Sequence, residues 1–200
     1  MRQARYIQSS VKKDLAKKMV FVGGPRQVGK TTFALGFLAG DATTENPAYL
    51  NWDDPESRAL LLQGKIPRNQ SLLLLDEIHK YARWRNLVKG LFDKHRSRLS
   101  ILVTGSARLD YYRKGGDSLQ GRYHYYRLHP FSLPELDADG LRASLDTLLR
   151  YGGFPEPLFA ADEREWRRWQ RDHRERVLRE DLRDLERVRE GRLQAVDRRE

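Results

Sequence analysis

Cysteine is absent from the 200-residue chain, which excludes disulfide staples and thiolate metal sites and suits a reducing compartment. Long apolar runs are also missing, and no uninterrupted hydrophobic stretch approaches the ~20 residues that cross a bilayer. The N-terminal MRQARYIQSSVKKDLAKK is basic but has no apolar core, so a cytoplasmic protein without a signal peptide or membrane partner is expected. The five histidines show neither H-x-x-H spacing nor a matching acid cluster, which gives no ground for a histidine metal centre. Room for a second full domain is lacking as well. At 39% hydrophobic and 33% charged residues, the chain can bury one sizeable core and carry an appendage.

Positive charge is in excess, at a formal +10. It does not sit in the arginine-rich tail, because residues 161–200 hold thirteen arginines against twelve acids. Nearly all of the surplus falls in the first 160 residues. Such a balance favours polyanions, from a nucleotide to DNA to an acidic protein. No aromatic and basic groove accompanies it, so a diffuse basic surface is the plainer reading.

The stretch from Met19 to Thr32, MVFVGGPRQVGKTT, carries the most chemistry. A short apolar run with the character of a buried strand stops at glycine, and Lys30-Thr31-Thr32 opens a helix. Gly24-Pro25-Arg26-Gln27-Val28-Gly29-Lys30-Thr31 satisfies G-x-x-x-x-G-K-[ST], the pattern of a phosphate-binding loop. Glycines at both ends let successive N–H groups turn inward around phosphate oxygens. The helix then adds the positive end of its dipole. Lys30 is expected to reach the β- and γ-phosphates, and Thr31 to offer its hydroxyl to Mg²⁺. Arg26 and Gln27 are expected to give backbone N–H groups more than side-chain chemistry.

A second signature is Leu72-Leu73-Leu74-Leu75-Asp76-Glu77, a short apolar strand ending in two carboxylates. Asp76 suits Mg²⁺ held through water, and Glu77 suits removal of a proton from an attacking water. This reading sets the Asp76 strand beside the loop strand. Thr104-Gly105-Ser106 ends another strand, over Leu99–Val103, where a hydroxyl can help orient water. Arg108 and Arg122 are candidate cations for transition-state charge. Gly152 to Pro157 reads as a rigid turn, either helix punctuation or, through Pro155, a wall for an adenine ring.

Strands are expected near 19–22, 48–52, 71–75, 99–103 and 123–128. Helices are expected over 6–18, 31–38, from 53, around 84–92, over 141–151 and over 162–188. Their alternation predicts an α/β fold with a mostly parallel sheet covered on both faces. The division expected is a core at 1–130, a small helical lid at 131–160 and a charged amphipathic helix at 161–200.

In series, GPRQVGKTT, YLNWDDPESR, LLLLDEIHKYARW, ILVTGSARL, LQGRYHYYRLHPFSLPEL and YGGFPEPL resemble the predicted ATPases of the AAA+ superfamily found in bacteria and archaea. The resemblance spans about residues 1–190. It implies a P-loop NTPase sandwich whose five-stranded parallel sheet has the order 5-1-4-3-2, with an added strand between the loop strand and the Asp-Glu strand. It also implies ATP and Mg²⁺ as ligands, a sensor role for Ser106 and a lid turn at Gly153-Phe154-Pro155 near the base. By the same resemblance, only the lead-in helix of the family's usual C-terminal domain, with Arg179-Glu180-Asp181-Leu182, is expected within these residues.

The function expected is thus an ATPase acting as a switch or motor for an unseen effector, with a homo-oligomer as one assembly open to it. The alternative is a nucleotide-gated module for protein or DNA with negligible hydrolysis. Asp76-Glu77-Ile78-His79 also spells a DExH box, but a helicase needs a second lobe for which the chain has no room.

Overall fold

The computed structural model describes residues 4–67, 69–106, 109, 119–138 and 145–177. They form two compact units, residues 1–143 and 144–200.

The first unit is built on a five-stranded, all-parallel sheet. Its strands are β1 (Met19–Gly23), β2 (Tyr49–Asn51), β3 (Leu72–Asp76), β4 (Ser100–Thr104) and β5 (Tyr123–Arg127). The spatial order is β2-β3-β4-β1-β5, which read from the other edge is 5-1-4-3-2. β1 is therefore not beside β3. β4 lies between them, pairing Val22 with Thr104 on one side and Asp76 with Thr104 on the other. The expectation of adjacent loop and carboxylate strands fails here, because an apolar strand buried on both faces carries no mark of its neighbour.

The helices of this unit are α1 (Gln8–Leu15), α2 (Lys30–Leu35), α3 (Pro55–Leu62), α4 (Trp84–His95) and α5 (Leu133–Ala138). β1 and β3 are buried along their whole length. Met19, Phe21, Leu73, Leu75, Ile101 and Val103 share one core with Leu61 of α3 and Trp84, Val88 and Leu91 of α4. Val20, Val22, Leu74 and Leu102 have the opposite parity, and α1 and α2 pack on these strands. Each fully buried aliphatic side chain contributes about 1.5–3 kcal/mol, which makes the leucine run of β3 the anchor of the sheet. β5 is a half-exposed edge strand whose Tyr123 stacks on Phe21 with ring centroids 4.4 Å apart.

Local chemistry explains the element ends. Asp54 accepts from Ser57 N–H and Pro55 occupies the first turn of α3, a position that needs no N–H donor. α2 is shorter than the expected 31–38 helix, stopping at Leu35 before Gly36.

The second unit contains α6 (Leu145–Tyr151), α7 (Pro155–Ala160) and α8 (Glu163–Arg176). The Gly152–Pro157 stretch is not a turn throughout, since Pro155 starts α7 as a helix N-terminal proline. Asp162 caps α8 by accepting from Arg164 and Glu165 N–H. Phe154, Trp169 and His173 cluster, with Trp169 stacked on His173 at 4.5 Å. The part of the expected 162–188 helix beyond Val177, with Arg179-Glu180-Asp181-Leu182, lies outside the described residues, as do Arg108 and the start of the expected 141–151 helix.

Candidate nucleotide site at the carboxyl edge of the sheet

In a parallel sheet the C-terminal strand ends share one edge, and here they bring the loop after β1, Asp76, Thr104 and Ser106 to the same side. Between β1 and α2 the backbone takes φ values of +152° at Gly24, +61° at Gln27 and +88° at Gly29. At Gly24 a Cβ would stand 2.3 Å from the Leu128 carbonyl oxygen, so a side chain is excluded by contact as well as by conformation. Pro25, Arg26 and Gln27 are half-buried and Val28 is fully buried. Lys30 opens α2 with only 9% of its surface exposed, and its Nζ donates to the carbonyls of Gly24 at 3.1 Å and Pro25 at 2.6 Å. Thr31 and Thr32 follow in the first turn.

Asp76 gathers three hydroxyl donors. Thr31 Oγ1 donates to Asp76 Oδ2 at 2.8 Å, Tyr49 Oη to the same oxygen at 3.0 Å, and Thr104 Oγ1 to Oδ1 at 2.6 Å. Asp76 as a whole is only 5% exposed. Burial first, and then the Asp76 charge, hold the Tyr49 phenol well above its ordinary pKa, so it remains a donor at any working pH. These hydroxyls leave Asp76 as an acceptor-only oxygen ligand next to Thr31, a hard donor pair of the kind Mg²⁺ selects. The left-handed loop, the exclusion of a side chain at Gly24 and this pair all fit a nucleotide phosphate with its magnesium.

Glu77 follows at φ +56°, its N–H donating to the Thr104 carbonyl at 3.1 Å. Its Oε2 lies 3.3 Å from Lys80 Nζ and 3.8 Å from His79 Nε2. Burial pushes the Glu77 carboxyl up, and the Lys80 charge only partly offsets it. Lys80 also binds Asp53 Oδ2 at 2.5 Å. Burial lowers the Lys80 ammonium, but the Asp53 hydrogen bond and Glu77 outweigh it and hold the group above its usual range. Ser106 Oγ sits 3.2 Å from His79 Nε2. Gly105 makes this possible, for a Cβ there would come within 2.5 Å of His79 Nδ1.

The structure thus brings together Gly24 to Thr32, Asp76, Glu77 and Ser106. It does not bring Arg122 to them. Arg122 precedes β5 at the opposite edge of the sheet, its carbonyl accepting from Met19 N–H at the start of β1. Four strand rises, roughly 13 Å, separate that level from Gly23. Its guanidinium binds Asp93 at 3.0 Å instead, so Arg122 cannot serve the phosphate loop of its own chain. Pro155 belongs to the second unit and is not among the residues the first unit assembles.

Three neighbours of the site are not visible as such in the sequence. Tyr49 is an ordinary strand tyrosine until the register of Asn51 with Asp76 turns it toward the carboxylate. His79 and Lys80 are set by the 3₁₀ turn over Ile78–Lys80, which folds both back on Glu77. Among the described residues no group of three His, Cys, Asp or Glu could hold a metal on its own, and no helix is long and apolar enough to cross a membrane.

The family model for the AAA domain matches residues 16–136, more than half of the chain and nearly all of the first unit. No curated protein matches the sequence. The matched stretch holds the phosphate loop, the Asp76-Glu77 strand and the sheet order expected of a P-loop ATPase core, and the chain belongs to the AAA domain family of nucleotide-binding ATPases.

Proposed function

We propose that this protein binds ATP with Mg²⁺ and hydrolyses it, using the cycle as a switch for an effector. The observation that carries the reading is the 2.8 Å hydrogen bond from Thr31 to Asp76 at the head of α2, which joins the loop motif to the carboxylate motif. Loop N–H groups from Arg26 to Thr31 would cradle the phosphates, with Lys30 exchanging the carbonyls of Gly24 and Pro25 for phosphate oxygens. Thr31 and Asp76 would hold the magnesium, which supplies charge neutralisation at the phosphates when bound. Glu77 would take the proton of the attacking water, its raised pKa making it a stronger base than an exposed glutamate. Ser106, held by His79, would sense the terminal phosphate from the end of β4.

Calorimetry with Mg·ATP, followed by phosphate release under single-turnover conditions, tests the proposal. Saturable binding with release that Glu77→Gln abolishes supports it. Binding with no release leaves a nucleotide-gated interaction module, and no binding at all removes the ATP reading.

A further inference from the structure

Arg5 is a buried cation before the stretch that the AAA domain family matches. Its side chain and that of Glu135 on α5 are each only 4% exposed, and Arg5 Nε donates to Glu135 Oε1 at 2.9 Å. The other two arms of the guanidinium go elsewhere. Nη1 donates to the Val28 carbonyl at 3.2 Å and Nη2 to the His129 carbonyl at 2.5 Å, while the group lies 3.9 Å over the Phe131 ring. Glu135 is itself fully engaged. It accepts from Tyr6 N–H at 3.0 Å, Ser132 N–H at 2.9 Å and Ser132 Oγ at 2.8 Å.

One of these contacts bears on the phosphate loop. The Val28 carbonyl and the Gly29 N–H belong to the same planar, trans peptide, so they point in opposite directions. A donor that fixes the carbonyl from behind the loop therefore fixes the aim of the Gly29 amide in front of it. Arginine suits the position because a planar fork can hold a carboxylate and two carbonyls at once, which a lysine ammonium on a flexible stem cannot do with the same geometry.

We propose that Arg5, clamped by Glu135, is a positioning residue for the phosphate loop, setting the orientation of the Val28–Gly29 peptide and through it the affinity for nucleotide phosphates. The proposal rests on the ATP reading of the site. It also ties the loop to the 128–136 segment, since His129, Phe131, Ser132 and Glu135 all meet the same guanidinium or its carboxylate partner.

The test uses the full chain as wild type, Arg5→Lys and the double variant Arg5→Met/Glu135→Leu. The first keeps the charge. The second replaces the whole buried pair with apolar side chains of similar volume, a change that folded proteins often tolerate. Folding is checked by circular dichroism. Calorimetry with Mg·ATP and Mg·ADP should show both dissociation constants raised by roughly tenfold or more in each variant. The Michaelis constant should rise with them while kcat stays within about twofold, because Arg5 touches no reacting atom. Simple loss of folded protein gives the opposite split, a lower kcat at constant KM. The Gly29 amide resonance in ¹H–¹⁵N spectra of nucleotide-free protein should move, because the carbonyl of its own peptide loses the Arg5 donor. Wild-type affinity in a folded variant overturns the clamp, as does an unmoved Gly29 resonance. A wild type that binds neither nucleotide overturns the ATP reading, and the Gly29 resonance still decides the clamp.

Discussion

The Thr31 hydroxyl and Asp76 Oδ2 lie 2.8 Å apart although the strands that deliver them, β1 and β3, are separated by β4. The gap is closed by the helix, not by the sheet. α2 starts over the carboxyl edge and carries Thr31 across the end of β4 toward β3, where Thr104 donates to the other oxygen of the same carboxylate. Thr31→Ala and Asp76→Asn should each weaken magnesium-dependent ATP binding by about tenfold or more. Titration without magnesium should show a much smaller difference between variants and wild type. Equal losses with and without the metal would mean that the pair acts only as a structural hydrogen bond.

Glu77 carries the catalytic role in the proposed reaction. Glu77→Gln keeps the shape of the side chain and removes the base, so turnover should fall by roughly 10²–10⁴. Nucleotide affinity should stay near the wild-type value. A phosphate-release assay on both proteins at saturating ATP measures this, and unchanged turnover removes Glu77 from the reaction.

Tyr49 contributes the third hydroxyl to Asp76, from the edge strand. Tyr49→Phe deletes that donor while Thr31 and Thr104 continue to satisfy the carboxylate, so a loss of about 1 kcal/mol in unfolding free energy is expected. Urea denaturation reads it directly. A loss several times larger would mean that the Tyr49 hydroxyl does more than fill one of three donor places on the Asp76 carboxylate.

The sequence makes some of this legible and hides the rest for physical reasons. The Gly24–Thr31 spacing and the leucine run into Asp76-Glu77 are local patterns, and local patterns survive without coordinates. The partner of a buried strand does not, because Leu72 to Leu75 would suit any neighbour; only the resemblance to a known family supplied the intervening β4. Tyr49 needed the register of β2 on β3. Arg5 needed a contact 130 positions along the chain. Pro155 could be taken for a turn or a helix start, since its φ suits both.

Arg122 shows a case where the available signal was enough. A residue just before a strand of a parallel sheet must sit at the edge opposite a loop that follows another strand, and its contact with Asp93 agrees. Arg122→Ala should therefore leave turnover per chain within about twofold of wild type, as for surface substitutions generally. Steady-state assays over a range of protein concentrations check this. A large loss at every concentration would contradict the placement, and a loss confined to high concentration would show that Arg122 acts on a neighbouring copy.

The Glu135 carboxylate gives a pH signature that separates the buried Arg5–Glu135 pair from the residues of the proposed reaction. Burial alone would raise its pKa, but donation from Arg5, Ser132 and Tyr6 outweighs this and holds the group below its ordinary value. A depressed folded-state pKa means that the charge stabilises the fold above the ordinary glutamate range of about 4 to 5, and that this contribution is lost as pH falls through the lower folded value. Wild type should therefore melt above Glu135→Gln at neutral pH. The difference in Tm should begin to shrink as pH enters the glutamate range and should vanish below the folded-state pKa. Differential scanning calorimetry from neutral pH into the acid range measures it, and a constant difference across that range would show that the ionised carboxylate is not what Arg5 requires.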